Sequence, residues 1–113
     1  MWVFTTFGFY SIVQKKPTDG FLTVRARDPK DLDSLRERIP GLGPTELGGG
    51  DYCCRAKVGR REFAAGLARI AMEIDYGNFK DAVAESMGHG RASIYHDVWA
   101  DALKIQSRHH ARR

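Results

Sequence analysis

The sequence predicts an α+β fold: a two-layer sandwich in which an antiparallel sheet of three to four strands carries helices packed on it, in the order β-β-α-β-α-α-α. Three observations lead there. Residues 21–27 and 51–58 alternate apolar and polar side chains with the period of two that a half-buried strand requires. Phe63, Leu67, Ile70 and Ile74 recur instead at helical spacing. Helix-start and helix-stop residues (Asp28-Pro29, Pro40, Asn78, Gly88) fall where one period gives way to the next.

Taken in order, residues 2–13 (WVFTTFGFYSIV) are β-branched and aromatic without a helical period, and read as one long strand bent at Gly8. Pro17, Asp19 and Gly20 supply a turn, so that strand pairs with FLTVRAR in an antiparallel hairpin. On this second strand Leu22, Val24 and Ala26 face one side, and Phe21, Thr23, Arg25 and Arg27 the other. Asp28 offers a carboxylate to the free N–H groups of a helix start, and Pro29 at the first position loses nothing by lacking its own N–H. The buried stripe of that helix is Leu32, Leu35 and Ile39, and Pro40 stops it. The stretch PGLGPTELGGG that follows reads as a mobile loop, with a ligand-covering lid as the alternative and a fourth strand if part of residues 42–48 pairs. DYCCRAKV is the third strand, with Tyr52, Cys54, Ala56 and Val58 on the core side and Cys53, Arg55 and Lys57 opposite. A helix over Arg60–Ile74, a short one started by Asn78 and ended at Gly88, and a last one over about Arg91–Gln106 complete the chain. Phe63, Leu67, Ile70, Ile74, Val98, Trp99 and Leu103 are expected to form the helical side of a single core.

The 113 residues suffice for one domain, expected at 1–106, followed by a basic and unstructured tail at 107–113. The chain has 18 Lys and Arg against 14 Asp and Glu, and Arg108, Arg112 and Arg113 lie in that tail, so the body is nearly neutral. No run of apolar residues reaches the about 18–20 that a membrane span needs. Residues 2–13 lack the basic start and small-residue cleavage site of a secretory leader, which makes cytoplasm the expected compartment. Cys53 and Cys54 are neighbours on an extended chain and point to opposite faces. They read as two reduced structural thiols, neither bridged nor half of a zinc site.

The N-terminal MWVFTTFGF, the DY..R of the third strand, the IDYGNFKDAV segment and the Tyr95–Trp99 pattern resemble a family of small uncharacterised bacterial proteins. The resemblance spans most of the chain. It implies an intact domain and no particular reaction or cofactor, and it draws attention to Trp2, Thr5, Gly8, Phe9, Asp51, Tyr52, Arg55, Asp75, Tyr76, Asn78, Phe79 and Lys80. At Cys53-Cys54 the chain departs from the pair of residues, Pro or a polar residue before an aromatic, found in similar proteins.

Alternation places Arg25, Arg27, Arg55 and Lys57 on one sheet face beside aromatic and hydroxyl side chains of the first strand such as Phe7, Phe9 or Tyr10. Guanidinium groups hold phosphates bidentately and rings stack on bases, so such a face suits single-stranded nucleic acid or another anionic planar ligand. Asp75, Tyr76, Asn78 and Lys80 form a secondary polar cluster, in which Asn78 is best explained as a helix cap. The histidines at 89, 96, 109 and 110 lack ligand spacing, and no nucleophile elbow or carboxylate pair is legible, so no catalytic residue, metal or cofactor is expected. The sequence therefore reads as a small non-enzymatic binding protein for an anionic partner, most simply nucleic acid. The alternative is a protein-interaction module, either a homodimer or a phage-type inhibitor of a host or defence protein.

Overall fold

A computed structural model describes residues 1–17 and 19–111, with side chains through residue 108. The described chain divides into two units, Met1–Asp75 and the residues from Tyr76 onward.

The first unit holds a five-stranded, wholly antiparallel sheet of β1 (Trp2–Phe4), β2 (Phe9–Val13), β3 (Phe21–Ala26), β4 (Glu46–Leu47) and β5 (Cys54–Gly59), in the order β1-β2-β3-β5-β4. Two helices, α1 (Pro29–Arg38) and α2 (Arg60–Met72), complete it. The α+β sandwich class holds, with five strands in place of three or four. The extra strand comes from the N-terminus, where residues 2–13 are two strands and not one. Thr5 Oγ1 donates to the Gly8 carbonyl at 2.7 Å, and the Thr5 amide donates to the same oxygen at 2.9 Å, closing a tight turn. Gly8 is required there, because a Cβ at this position would lie 2.3 Å from the Tyr10 hydroxyl.

One sheet face is the core. Tyr10 and Ile12 from β2, Leu22, Val24 and Ala26 from β3, and Cys54, Ala56 and Val58 from β5 pack against Leu32, Leu35, Ile39, Leu42 and Phe63. Removing these side chains from water is the main stabilising term, on the order of 1.5–3 kcal/mol for each large aliphatic or aromatic one. Alternation thus holds for the two central strands. α1 starts as read: Asp28 Oδ1 accepts the Lys30 amide at 3.0 Å and Pro29 sits in the first turn. α2 stops at Met72, two residues short of Ile74. Phe63 is buried and Leu67 and Ile70 pack at the core margin, whereas Ile74, past the helix end, is 57% exposed.

Residues 40–50 are tethered and not a free loop. The Gly43 amide donates to the Lys57 carbonyl at 2.7 Å, Arg36 donates to the Gly43 carbonyl and Thr45 Oγ1, and β4 pairs with β5.

The second unit is a helix pair, α3 (Phe79–Met87) and α4 (His89–Ala111). Asn78 Oδ1 caps α3 by accepting the Asp81 amide, and Gly88 ends it at φ +95°, a conformation that glycine adopts without strain. Val83 and Tyr95 are buried, and the Phe79 and Tyr95 rings stack at 5.8 Å. Trp99 and Leu103 were expected inside a core shared with α2. They belong to the other unit and are 51% and 43% exposed. α4 carries helical backbone through residues 107–111, where an unstructured tail was expected; Arg112 and Arg113 lie outside the described residues.

Candidate functional site

The sheet face opposite the core is built by register. Antiparallel pairing sets Trp2 opposite Ser11, Ser11 opposite Arg25, Arg25 opposite Arg55, and Arg55 opposite Glu46. One cross-strand row therefore traverses all five strands, with two guanidinium-bearing residues at its centre and an indole at one end. The adjacent row adds Val13, Thr23 and Lys57. Directly opposed like charges destabilise a strand pair. This unit nevertheless places Arg25 and Arg55 together, and among the described residues neither they nor Lys57 form an ion pair.

Local contacts position these cations. Arg25 Nη2 donates to Ser11 Oγ at 2.7 Å, and its guanidinium lies 4.6 Å from the centre of the Tyr52 ring. Arg27 lies 4.3 Å from the same ring and donates to the Asp51 carbonyl. Arg55 donates to the carbonyls of Gly49 and Tyr52. A cleft of about 350 Å³ opens over this arrangement, lined by Lys15, Lys16, Phe21, Arg25, Arg55 and Lys57 together with Tyr52, Thr23 and the carboxylates of Asp19, Glu46 and Asp51. Phe21 is 47% exposed, so a ring is available to a ligand beside the charges.

Phe9 belongs to the same face, since it lies two residues from Ser11 on β2. It stacks on Phe4 with ring centres 4.4 Å apart, and Trp2 meets it edge-on at 5.5 Å. An aromatic cluster thus adjoins the basic one.

Two expectations need correction. Tyr10 was placed beside the bases, but it lies on the core face, 2% exposed, with its hydroxyl donating to the Asp31 carbonyl at 2.6 Å. Phe9 and Tyr10 are consecutive on β2, so only one of them can face the bases. Tyr52 was assigned to the core by extending the β5 alternation backward. β5 begins only at Cys54, so Tyr52 lies outside the alternating strand and sits, 6% exposed, against Arg25 and Arg27. Phe4, Lys15 and Lys16 belong to this face and are absent from the sequence candidates, and Trp2, to which the family resemblance draws attention, joins them there.

The secondary cluster does not converge. Asn78 is a cap, the Tyr76 ring tilts against Phe79, and Lys80 Nζ lies 3.1 Å from His96 Nδ1 and 4.6 Å from the Trp99 ring centre. Asp75 is exposed. Among the described residues no group of three or more His, Cys, Asp or Glu side chains could hold a metal ion, and no helix is long and apolar enough to cross a membrane.

The two thiols also differ from expectation. Cys53 Sγ and Cys54 Sγ are 3.5 Å apart, and both approach the Ala26 carbonyl. Cys54 is buried and Cys53 exposed. Burial, aided by the hydrogen bond and charge of Cys53, pushes the Cys54 thiol up from 9.0 to about 12.

No family model, curated protein or solved structure matches the chain, so the arrangement of this sheet face is what bears on function.

Proposed function

We propose that the outer sheet face binds single-stranded nucleic acid, with phosphates held at Arg25, Arg55 and Lys57 and bases stacked on the neighbouring rings. The observation that carries this reading is the Trp2–Ser11–Arg25–Arg55–Glu46 row. It brings two guanidinium groups that form no ion pair, and an exposed aromatic, onto one sheet face. Arginine forks match phosphate oxygens, and stacking is tolerant of sequence because every base has a π-face. The cleft's volume is at the small end of the roughly 300–1,000 Å³ range of ligand sites, which suits one nucleotide at a time along a strand.

The test is anisotropy titration of labelled single-stranded RNA and DNA oligonucleotides across a salt series. Binding should weaken with salt by a slope of about 0.7 per phosphate neutralised, and the Arg25→Glu/Arg55→Glu variant should lower that slope by about 1–2. Lys104→Glu, on α4 and paired with Asp101, is the control. Absence of binding at low salt by the wild type overturns the reading.

A second reading rests on α4, where Ile94, Trp99 and Ile105 are 59%, 51% and 74% exposed. Apolar residues in that number on one helix favour self-association through it. A sedimentation mass above the monomer that persists in high salt and is lost on Ile94→Lys would support this reading.

A further inference from the structure

Neighbouring side chains on an extended strand diverge, and Cys53 and Cys54 do not. Residue 53 lies just before β5, outside the alternating strand, and its sulfur is 3.5 Å from that of Cys54. The arrangement is asymmetric. Cys53 meets solvent, while Cys54 lies behind it at 0% exposure with its thiol directed at the Ala26 carbonyl, 3.4 Å away.

We propose that Cys53 and Cys54 form a two-electron redox site that a low-molecular-weight disulfide closes to a vicinal disulfide. The Cys53 thiolate attacks one sulfur of the small disulfide. The S–S bond breaks, a mixed disulfide forms on Cys53, and one small thiolate leaves and takes up a proton. Cys54 then gives its proton to solvent and attacks Cys53 Sγ, displacing the second small thiol. The protein loses two hydrogens with two electrons, and the small disulfide becomes two thiols, so the exchange balances. Two of the influences that hold the Cys54 proton in place, the hydrogen bond and charge of Cys53, vanish once Cys53 is in the mixed disulfide.

Reversibility follows from geometry. Adjacent Cα atoms on a trans peptide are about 3.8 Å apart, below the roughly 4.4–6.8 Å usual for a disulfide, so the closed bond is strained and readily reduced. Closure also pulls on the residues before it. The Asp51 and Tyr52 carbonyls accept from Arg27 and Arg55, and the Tyr52 ring sits against Arg25 and Arg27. Oxidation therefore loosens the cationic side of the cleft. This consequence rests on the proposed ligand-binding role, whereas the thiol chemistry does not.

The full chain is incubated with oxidised glutathione, quenched in acid, alkylated with N-ethylmaleimide and weighed intact. The wild type should end two hydrogens lighter, carrying neither maleimide nor glutathione, and should revert with dithiothreitol. Cys54→Ser should stop at a glutathione adduct on Cys53; Cys54→Ala, which keeps the buried site apolar, serves if the serine variant does not fold. Cys53→Ser should take up no glutathione while folded. A wild type that stalls at the adduct, links two chains, or stays fully open to maleimide overturns the proposal. Oligonucleotide affinity, compared between the two states, should fall several-fold on oxidation. Equal affinity removes only the coupling, and no affinity in either state removes the cleft reading while the mass result stands.

Discussion

The Tyr10 hydroxyl donates to the main-chain carbonyl of Asp31 at 2.6 Å, while the Asp31 carboxylate accepts the Phe9 amide at 3.0 Å. The two residues thus clasp β2 to the first turn of α1 from both sides, at a point where Asp31 is only 3% exposed. Tyr10→Phe keeps the ring and removes one buried hydrogen bond, so it should lower stability by about 1 kcal/mol. Urea unfolding should show a lower midpoint with unchanged slope.

Gly66 allows α2 to approach the end of α1. A Cβ there would fall 2.4 Å from Ile39 Cγ1, and Ile39, 1% exposed, has no room to withdraw. Gly66→Ala would ordinarily gain about 1 kcal/mol in a helix, but overpacking at this site should outweigh that and give a net loss of roughly 1–2 kcal/mol. Adding Ile39→Val should recover part of the loss, which a double-mutant cycle by denaturant titration measures.

Stacking and charge are separable on the outer face. Trp2→Ala should weaken oligonucleotide binding by about 1–3 kcal/mol, the worth of one stacked base, while leaving the salt slope unchanged. Charge reversal at Arg25 and Arg55 should instead change the slope. An unchanged affinity for Trp2→Ala would place the bases away from β1.

Cys54 confers a pH dependence whose sign is fixed by its raised pKa. Below 9.0 the thiol is protonated in both folded and unfolded chains and its contribution is fully present. Between 9.0 and about 12 the unfolded chain ionises and the folded one does not, so stability falls as pH rises through that window. Denaturation midpoints of the wild type should decline from pH 8.5 to pH 10.5, and those of Cys54→Ala should decline less.

Those parts of the fold governed by local periodicity were legible in the residues themselves. Leu22, Val24 and Ala26, and Cys54, Ala56 and Val58, face the core because strand side chains alternate; Asp28 with Pro29, and Asn78, mark helix starts because free N–H groups need an acceptor. Legibility failed where one side chain redirects the backbone. The turn at Thr5–Gly8 has no Pro, Asn or Asp, and depends on a hydroxyl reaching a carbonyl three residues on. Tyr10 is misassigned for a simpler reason: it is the neighbour of Phe9 on β2, and only one of the two can face the bases. Tyr52 and the Cys53 sulfur depart from the expectation because alternation is read through residues 51–53, which precede the strand that starts at Cys54. For the candidate site, the grouping of Arg25, Arg55 and Lys57 followed from alternation alone, with Phe9 joining them once the register is known. That Trp2 ends the same row is a property of long-range pairing between β1, β2, β3 and β5, which no local signal encodes.

The strand order has a consequence for assembly. The sheet's margins are β1, with three residues, and β4, with two, while its longest strands, β3 and β5, lie in the interior. Margins that short offer few unsatisfied main-chain N–H and C=O groups in line, so they make poor templates for an added strand from another chain. Fibrous or edge-to-edge growth is thereby discouraged without recourse to proline or a covering helix. A partner of this unit gains most by meeting the broad surface of the sheet, through side chains.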